Sequence, residues 1–316
     1  MIRKITLSLI LSLIFLKLIS AGESAVADEL PSGSHSRNQM DFPSPEAAVK
    51  TLVEAAKSKD RNALVRILGS GSEKLLFSGD DVEDNRAMQD FAVAGDSPIV
   101  EKNLDGSFRL TVGEEKWPFP IIKGANGWRF DTDAGIDEIL TKRIGENELS
   151  VILTCRAYVL AQWEYFTGEN LHQEGIAEYA QRFISSPGKR DGLYWKTGSG
   201  EKPSPLGSLV ASARAEGYGP NRKGKHSPYH GYFFKILTRQ GKHAPGGAYR
   251  YVINGHMIAG YALIAYPEKW GSSGIMTFIV NQQGRIYEKN FGPKSGETAA
   301  KISVYDPDPS WKLVRE

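Results

Sequence analysis

Cysteine is almost missing from this chain: Cys155 stands alone among 316 residues. One thiol cannot close an internal disulfide, so the fold must be held by core burial. Net charge is also missing. The chain carries 39 basic and 37 acidic residues, and taking away Arg3, Lys4 and Lys17 against Glu23 with the first 27 residues leaves none. A neutral chain has no broad electrostatic attraction for nucleic acid or for an anionic membrane. No serine sits in a nucleophile-elbow pattern, and glycine-rich phosphate loops are absent. Gly271-Ser272-Ser273-Gly274 reads as a hairpin turn instead. The acids Asp80-Asp81 and Asp131/Asp133 read as helix caps, and Asp306-Pro307-Asp308-Pro309 lacks the spacing of a calcium loop. These absences leave no cofactor to assign.

What is present begins at the N-terminus. Arg3 and Lys4 precede an apolar run from Ile5 to Leu16, and Ala25-Val26-Ala27 offers small residues where a signal peptidase reads. That is the pattern of a cleaved secretory signal over residues 1–27. The alternative is an uncleaved anchor, but the run is short for a bilayer span and Lys17 interrupts it. A periplasmic or secreted location follows, with no stable membrane insertion after cleavage. Residues 28–41 are polar and read as a flexible leader.

Helical spacing then dominates. Ser44-Pro45-Glu46 is a helix start, and Ala48, Val49, Leu52, Val53 and Ala56 recur on one face. Asp60 caps a second helix and residues 81–94 form a third. The period then switches to two at Phe108, Leu110 and Val112, and Asn126-Gly127 turns into the strand Trp128-Phe130. Ile136 to Ile144 suggests a closing helix. This is an α+β domain over residues 42–145, similar to the nuclear-transport-factor-2-like cone fold in "SPEAAVKTLVEAAKSKD" and "GWRFDT".

A second domain is expected over residues 146–316. Its first element, residues 149–166, is apolar nearly all round, as a buried helix must be. Residues 176–185 and 206–215 read as shorter helices, with glycine- and proline-rich sequence between them. The basic loop 217–228 holds Arg222, Lys223, Lys225 and His226. From Tyr229 the chain turns β, with strands expected at 232–237, 249–253, 257–266, 275–280 and 285–289 as an antiparallel meander. Residues 299–305 suggest a last helical turn.

Several strings together resemble the bacterial domain-of-unknown-function family 2950: "FPSPEAAVKTLVEAAKSKD", "GWRFDTDAGIDEIL", "CRAYVLAQWEY", "EYAQRFISSPGKRDGLYW", "PGGAYRYVINGHMIAGYALIAYP" and "GIMTFIVNQQGRIYEKNFG". The resemblance spans about Phe42 to Trp311. It implies an exported protein and supplies no catalytic residue. The C-terminal half also resembles the globular head of type IV pilin-like proteins, in a long helix followed by Gly231-Tyr232-x-Phe234 and Gly274-x-x-x-Phe278-x-Val280. Pilins assemble through an N-terminal helix continuous with the head. Here a whole domain precedes that helix, so the likeness implies a fold and not polymerisation.

Three constellations carry chemistry. Cys155 and His230 occur in an order that a nucleophile–base pair permits, although Cys155 lies inside an apolar helix. Four of the six histidines fall between His226 and His256. His226, His230 and His256 could hold zinc or copper if a meander gathered them, yet the spacing of four between His226 and His230 belongs to helices and this region reads as loop and strand. Tyr229, Tyr232, Tyr249 and Tyr251, with His256, could form an aromatic binding face, unless they pack on the long helix as core. The preferred reading is a non-catalytic envelope or secreted binding protein, with another envelope protein or a second copy as partner. A cysteine hydrolase and a metal-binding protein are the alternatives.

Overall fold

Ser44 opens the first helix as the sequence predicts. Its side chain accepts a bond from Ala47 N at 3.2 Å, Pro45 takes the first helical position and Glu46 the first turn. In the computed structural model, residues 39–168, 175–219 and 227–315 are described. The expected signal and most of the leader lie outside them, as do loop residues 169–174 and 220–226 with Arg222, Lys223, Lys225 and His226.

The helices are α1 (Pro45–Lys57), α2 (Arg61–Leu68), α3 (Glu73–Leu76), α4 (Asp81–Ala94), α5 (Ile136–Thr167), α6 (Gly207–Ala215) and α7 (Ser295–Lys301). Between α4 and α5 run β1 (Ile99–Lys102), β2 (Phe108–Val112), β3 (Glu115–Lys116), β4 (Ile121–Lys123) and β5 (Trp128–Phe130). They form an antiparallel sheet in the order β1-β2-β4-β5, with β3 on β2. Its apolar face and helices α1, α2 and α4 enclose a first core around Leu52, Ile67, Leu110, Phe119, Ile121 and Phe130.

The second half adds β6 (Tyr232–Leu237), β7 (Arg239–Gln240), β8 (Tyr249–Arg250), β9 (Val252–Ile253), β10 (His256–Met257), β11 (Ala262–Pro267), β12 (Thr277–Asn281), β13 (Ile286–Lys289) and β14 (Lys312–Leu313). The main sheet runs β14-β13-β12-β11-β6, antiparallel throughout. Every residue of β12 is buried, as a central strand covered on both faces requires. The second core gathers Val151, Cys155, Tyr158, Tyr165, Tyr232, Tyr251, Ile264, Phe278 and Tyr305. The chain is thus an α+β protein.

Several expected elements differ. The strand expected at 249–253 is split into β8 and β9, which pair with β7 and β10 outside the main sheet, and the one expected at 257–266 breaks between β10 and β11. The closing helix and the long apolar helix are one, α5, of 32 residues. Gly145 lies inside it with open space around its α-carbon, and a solvent-facing glycine costs a helix about 1 kcal/mol without breaking it. Residues 176–185 are irregular, because their backbone is taken by distant partners. Tyr179 N donates to Met257 O, Ser185 N to Tyr194 O, and Ala180 N to Gln162 Oε1, each at 2.8 Å. The last helix comes earlier than expected, at Ser295.

The described residues belong to one contact unit, residues 35–316, and α5 serves both cores. Ile136 and Ile139 pack on the first, while Val151 to Tyr165 enter the second. Polar bonds bridge the two: Lys269 Nζ donates to Phe77 O at 2.8 Å and Ser272 Oγ to Lys74 O at 2.6 Å. α5 is tied to each side in turn, Arg143 Nη2 donating to Leu75 O at 2.7 Å and Asn147 Nδ2 to Ser273 O at 2.9 Å.

Candidate functional site

A close group of ionisable side chains lies where the start of α4 meets the turn before β6. Asp80 caps α4: its Oδ1 accepts from Val82 N and Glu83 N. Its Oδ2 reaches across the chain, accepting from the Tyr218 hydroxyl at 2.9 Å and from Gly231 N at 2.8 Å. The carboxyl is buried, and that burial pushes it above its ordinary range against these bonds. The turn that brings Gly231 N here needs two residues at positive φ, His230 at 47° and Gly231 at 71°. Glycine takes that conformation freely and histidine does not.

His230 therefore projects into the group at a local backbone cost. Its Nδ1 stands 3.4 Å from Glu83 Oε1 and its Nε2 3.1 Å from Glu216 Oε2. Tyr229 lies against the ring at 4.3 Å between centroids, and Tyr218 at 5.6 Å. Burial pulls the imidazole pKa down, but the bond to Glu83 and the charges of Glu216 and Asp80 outweigh it, so it rises above the ordinary value. The His230 bond pulls Glu83 below the usual carboxylate range against its own burial.

Glu216, at the end of α6, completes the group. Its Oε2 is shut off from solvent and, despite the 3.1 Å approach, has no aligned hydrogen-bond donor. The ligand atoms of Glu83, Glu216 and His230 all lie within 4.8 Å of one another. Glu216 also lines an open depression of about 450 Å³ with Asp81, Val82, Asn85 and Arg86. Three carboxylates, counting Asp80, face one imidazole. The cations that act on Glu83 include Arg86 and, from further off, the half-buried Arg143.

The other expected site residues fall elsewhere. Cys155 is buried in the second core at 0 % exposure, and burial pushes its thiol up to about 12. His230 sits instead among Glu83, Glu216 and the tyrosines, so the structure does not bring thiol and imidazole together as a nucleophile and its base. His256 pairs through Nδ1 with Glu178 Oε2 at 3.2 Å, and His243 with Asp306 Oδ2 at 2.9 Å. Each of these histidines faces its own carboxylate, and they do not converge on His230. His226 lies outside the described residues.

The aromatic face divides. Tyr232 and Tyr251 are buried, their hydroxyls donating to Met276 O and Gln240 Oε1 at 3.0 Å each. Both belong to the second core. Tyr249 is exposed and Tyr229 half-buried beside His230.

With the geometry described, the family can be placed. Residues 39–314 match a family described as Protein of unknown function (DUF2950). The chain belongs to that family. No curated protein and no solved structure matches it. The description names no activity.

Sequence reading singled out His230 but not its two glutamates. Glu83 is one of three acids in the first turn of α4, and 147 positions of chain separate it from His230. Glu216 left a weaker trace: it and His230 bracket the basic loop 217–228, so closure of that loop alone brings them near each other.

Proposed function

We propose that this protein is an exported, non-catalytic binding protein that holds a divalent metal ion of the zinc class at Glu83, Glu216 and His230. The carrying observation is the convergence of three ligand-type side chains from three separate elements around a buried carboxylate oxygen that lacks an aligned donor. An imidazole nitrogen with carboxylate oxygens is a donor set zinc accepts. The surplus of carboxylates favours a cation over an anion. Three protein ligands leave room for water or for a donor from a partner.

The cysteine-hydrolase alternative loses support from the burial of Cys155. Export is supported by the signal pattern at residues 1–27, and no helix among the described residues is long and apolar enough to cross a membrane. We infer a cone-like architecture for residues 42–145 from helices that precede an antiparallel sheet, and a pilin-like one for residues 146–316 from a long helix lying on a meander. Tyr229 and Tyr249 are the members of the aromatic set placed to touch a partner, which we take to be another envelope protein.

One observation favours a second reading. The raised proton affinity of His230 suits an imidazolium that clamps Glu83 to Glu216 without any ion. Equilibrium dialysis of the mature chain against zinc separates the two. We expect one tightly held zinc, and affinity weakened at least about tenfold in Glu216→Gln and in His230→Gln, each checked for folding by its melting curve. A wild-type chain that takes up no zinc leaves the clamp and overturns the metal reading.

A further inference from the structure

The longest helix buries one face and leaves the other bare. Val151, Cys155, Tyr158, Ala161 and Tyr165 enter the core, while Leu149, Leu153, Leu160 and Trp163 are 47–71 % exposed. Isolated exposed leucines need no explanation, but these four are not scattered. Together with Lys142, Glu146 and Arg156, also exposed, they recur at alternating steps of four and three. That is the spacing of a coiled-coil seam. It is carried on the solvent side of a helix whose other side already has its partners.

We propose that a second copy of this chain docks on this face, with the two α5 helices antiparallel. Charge decides both the occupant and the direction. A two-fold axis at the level of residue 151 sets Leu149 opposite the partner's Leu153, and Glu146 opposite the partner's Arg156. Symmetry repeats each pairing, so the two central leucine contacts are flanked on both sides by opposite charges. The same axis sets Lys142 opposite the partner's Leu160, where the aliphatic stem of the lysine covers the leucine. A parallel pairing in register would instead set glutamate against glutamate and arginine against arginine, which disfavours it. The face is self-complementary, as an isologous two-fold interface must be.

Sedimentation of the mature, full-length chain over a range of concentrations tests this. We expect a dimer for the wild type. Leu153→Arg, which puts charge at the centre of an exposed seam without touching the core, is expected to leave a folded monomer. Glu146→Arg alone and Arg156→Glu alone should each weaken the dimer by about tenfold, since each sets like charges against one another at both ends of the seam. The double change Glu146→Arg with Arg156→Glu should restore it. A wild type that stays monomeric at the highest soluble concentration overturns the proposal. So does a dimer that survives Leu153→Arg, or a double variant no tighter than the single ones.

Discussion

Cys155 and Gly231 show how much a single position decides. A thiol with a pKa near 12 is ionised in about one molecule in ten thousand at pH 8, and this one is also out of reach of solvent. Alkylation in the native state is expected to be negligible at neutral pH and complete after denaturation. Native labelling at the rate of an exposed thiol would contradict the placement. Gly231 combines a φ of 71° with a crowded surround: a Cβ there would stand 2.7 Å from Ser273 Cβ and 2.9 Å from Asn147 Nδ2. Gly231→Ala should lower stability by about 1–3 kcal/mol through strain and contact together, read as a shift in the denaturant midpoint. An unchanged midpoint would mean the turn that aims His230 is not built as described. Neither residue's environment was legible in sequence. The apolar neighbours of Cys155 indicated burial but not its depth, and nothing near Gly231 signals residues 147 and 273.

At the scale of elements, α5 is the part where sequence and structure differ most usefully. Gly145 and Asn147 look like punctuation, and two helices are the natural reading. In the fold Asn147 and Glu148 are not breakers but anchors. Asn147 Nδ2 holds Ser273 O, and Glu148 Oε1 accepts from Ile275 N at 2.8 Å and Met276 N at 2.9 Å. Tertiary bonds thus override local punctuation. Because Gly145 is helical and exposed, Gly145→Ala should stabilise the protein by about 0.5–1 kcal/mol. A loss of stability there would argue for a break in α5. At α4, Asp80→Ala removes a helix cap and two long-range bonds at once, with an expected cost of about 2–4 kcal/mol, measurable by the same unfolding curves. The first three major helices and the strands β6, β12 and β13 were legible because their apolar periodicity is local, whereas β14 and the break between β10 and β11 were not. Residues 176–185 were not, because their partners are Gln162, Tyr194 and Met257.

Over the whole molecule, the organisation is two apolar cores threaded by one helix, with the candidate site where their surfaces meet. Asp80 and Glu83 come from the first half, and Glu216 and His230 from the second. Occupancy of the site is therefore expected to couple the halves: zinc should raise the melting temperature of the wild type and not that of Glu216→Gln. A shift of equal size in both would contradict that coupling. The proposed export predicts a form in the envelope fraction that begins at Asp28 by mass, and a chain that keeps residues 1–27 would contradict it. The central claim concerns the ion itself. The most direct measurement is the anomalous difference map of a crystal of the mature chain grown with zinc, recorded on either side of the zinc edge. We expect a peak at bonding distance from a His230 ring nitrogen and from carboxylate oxygens of Glu83 and Glu216. A map with no peak there, from a crystal in which those side chains are ordered, would contradict the account and leave His230 as a structural clamp.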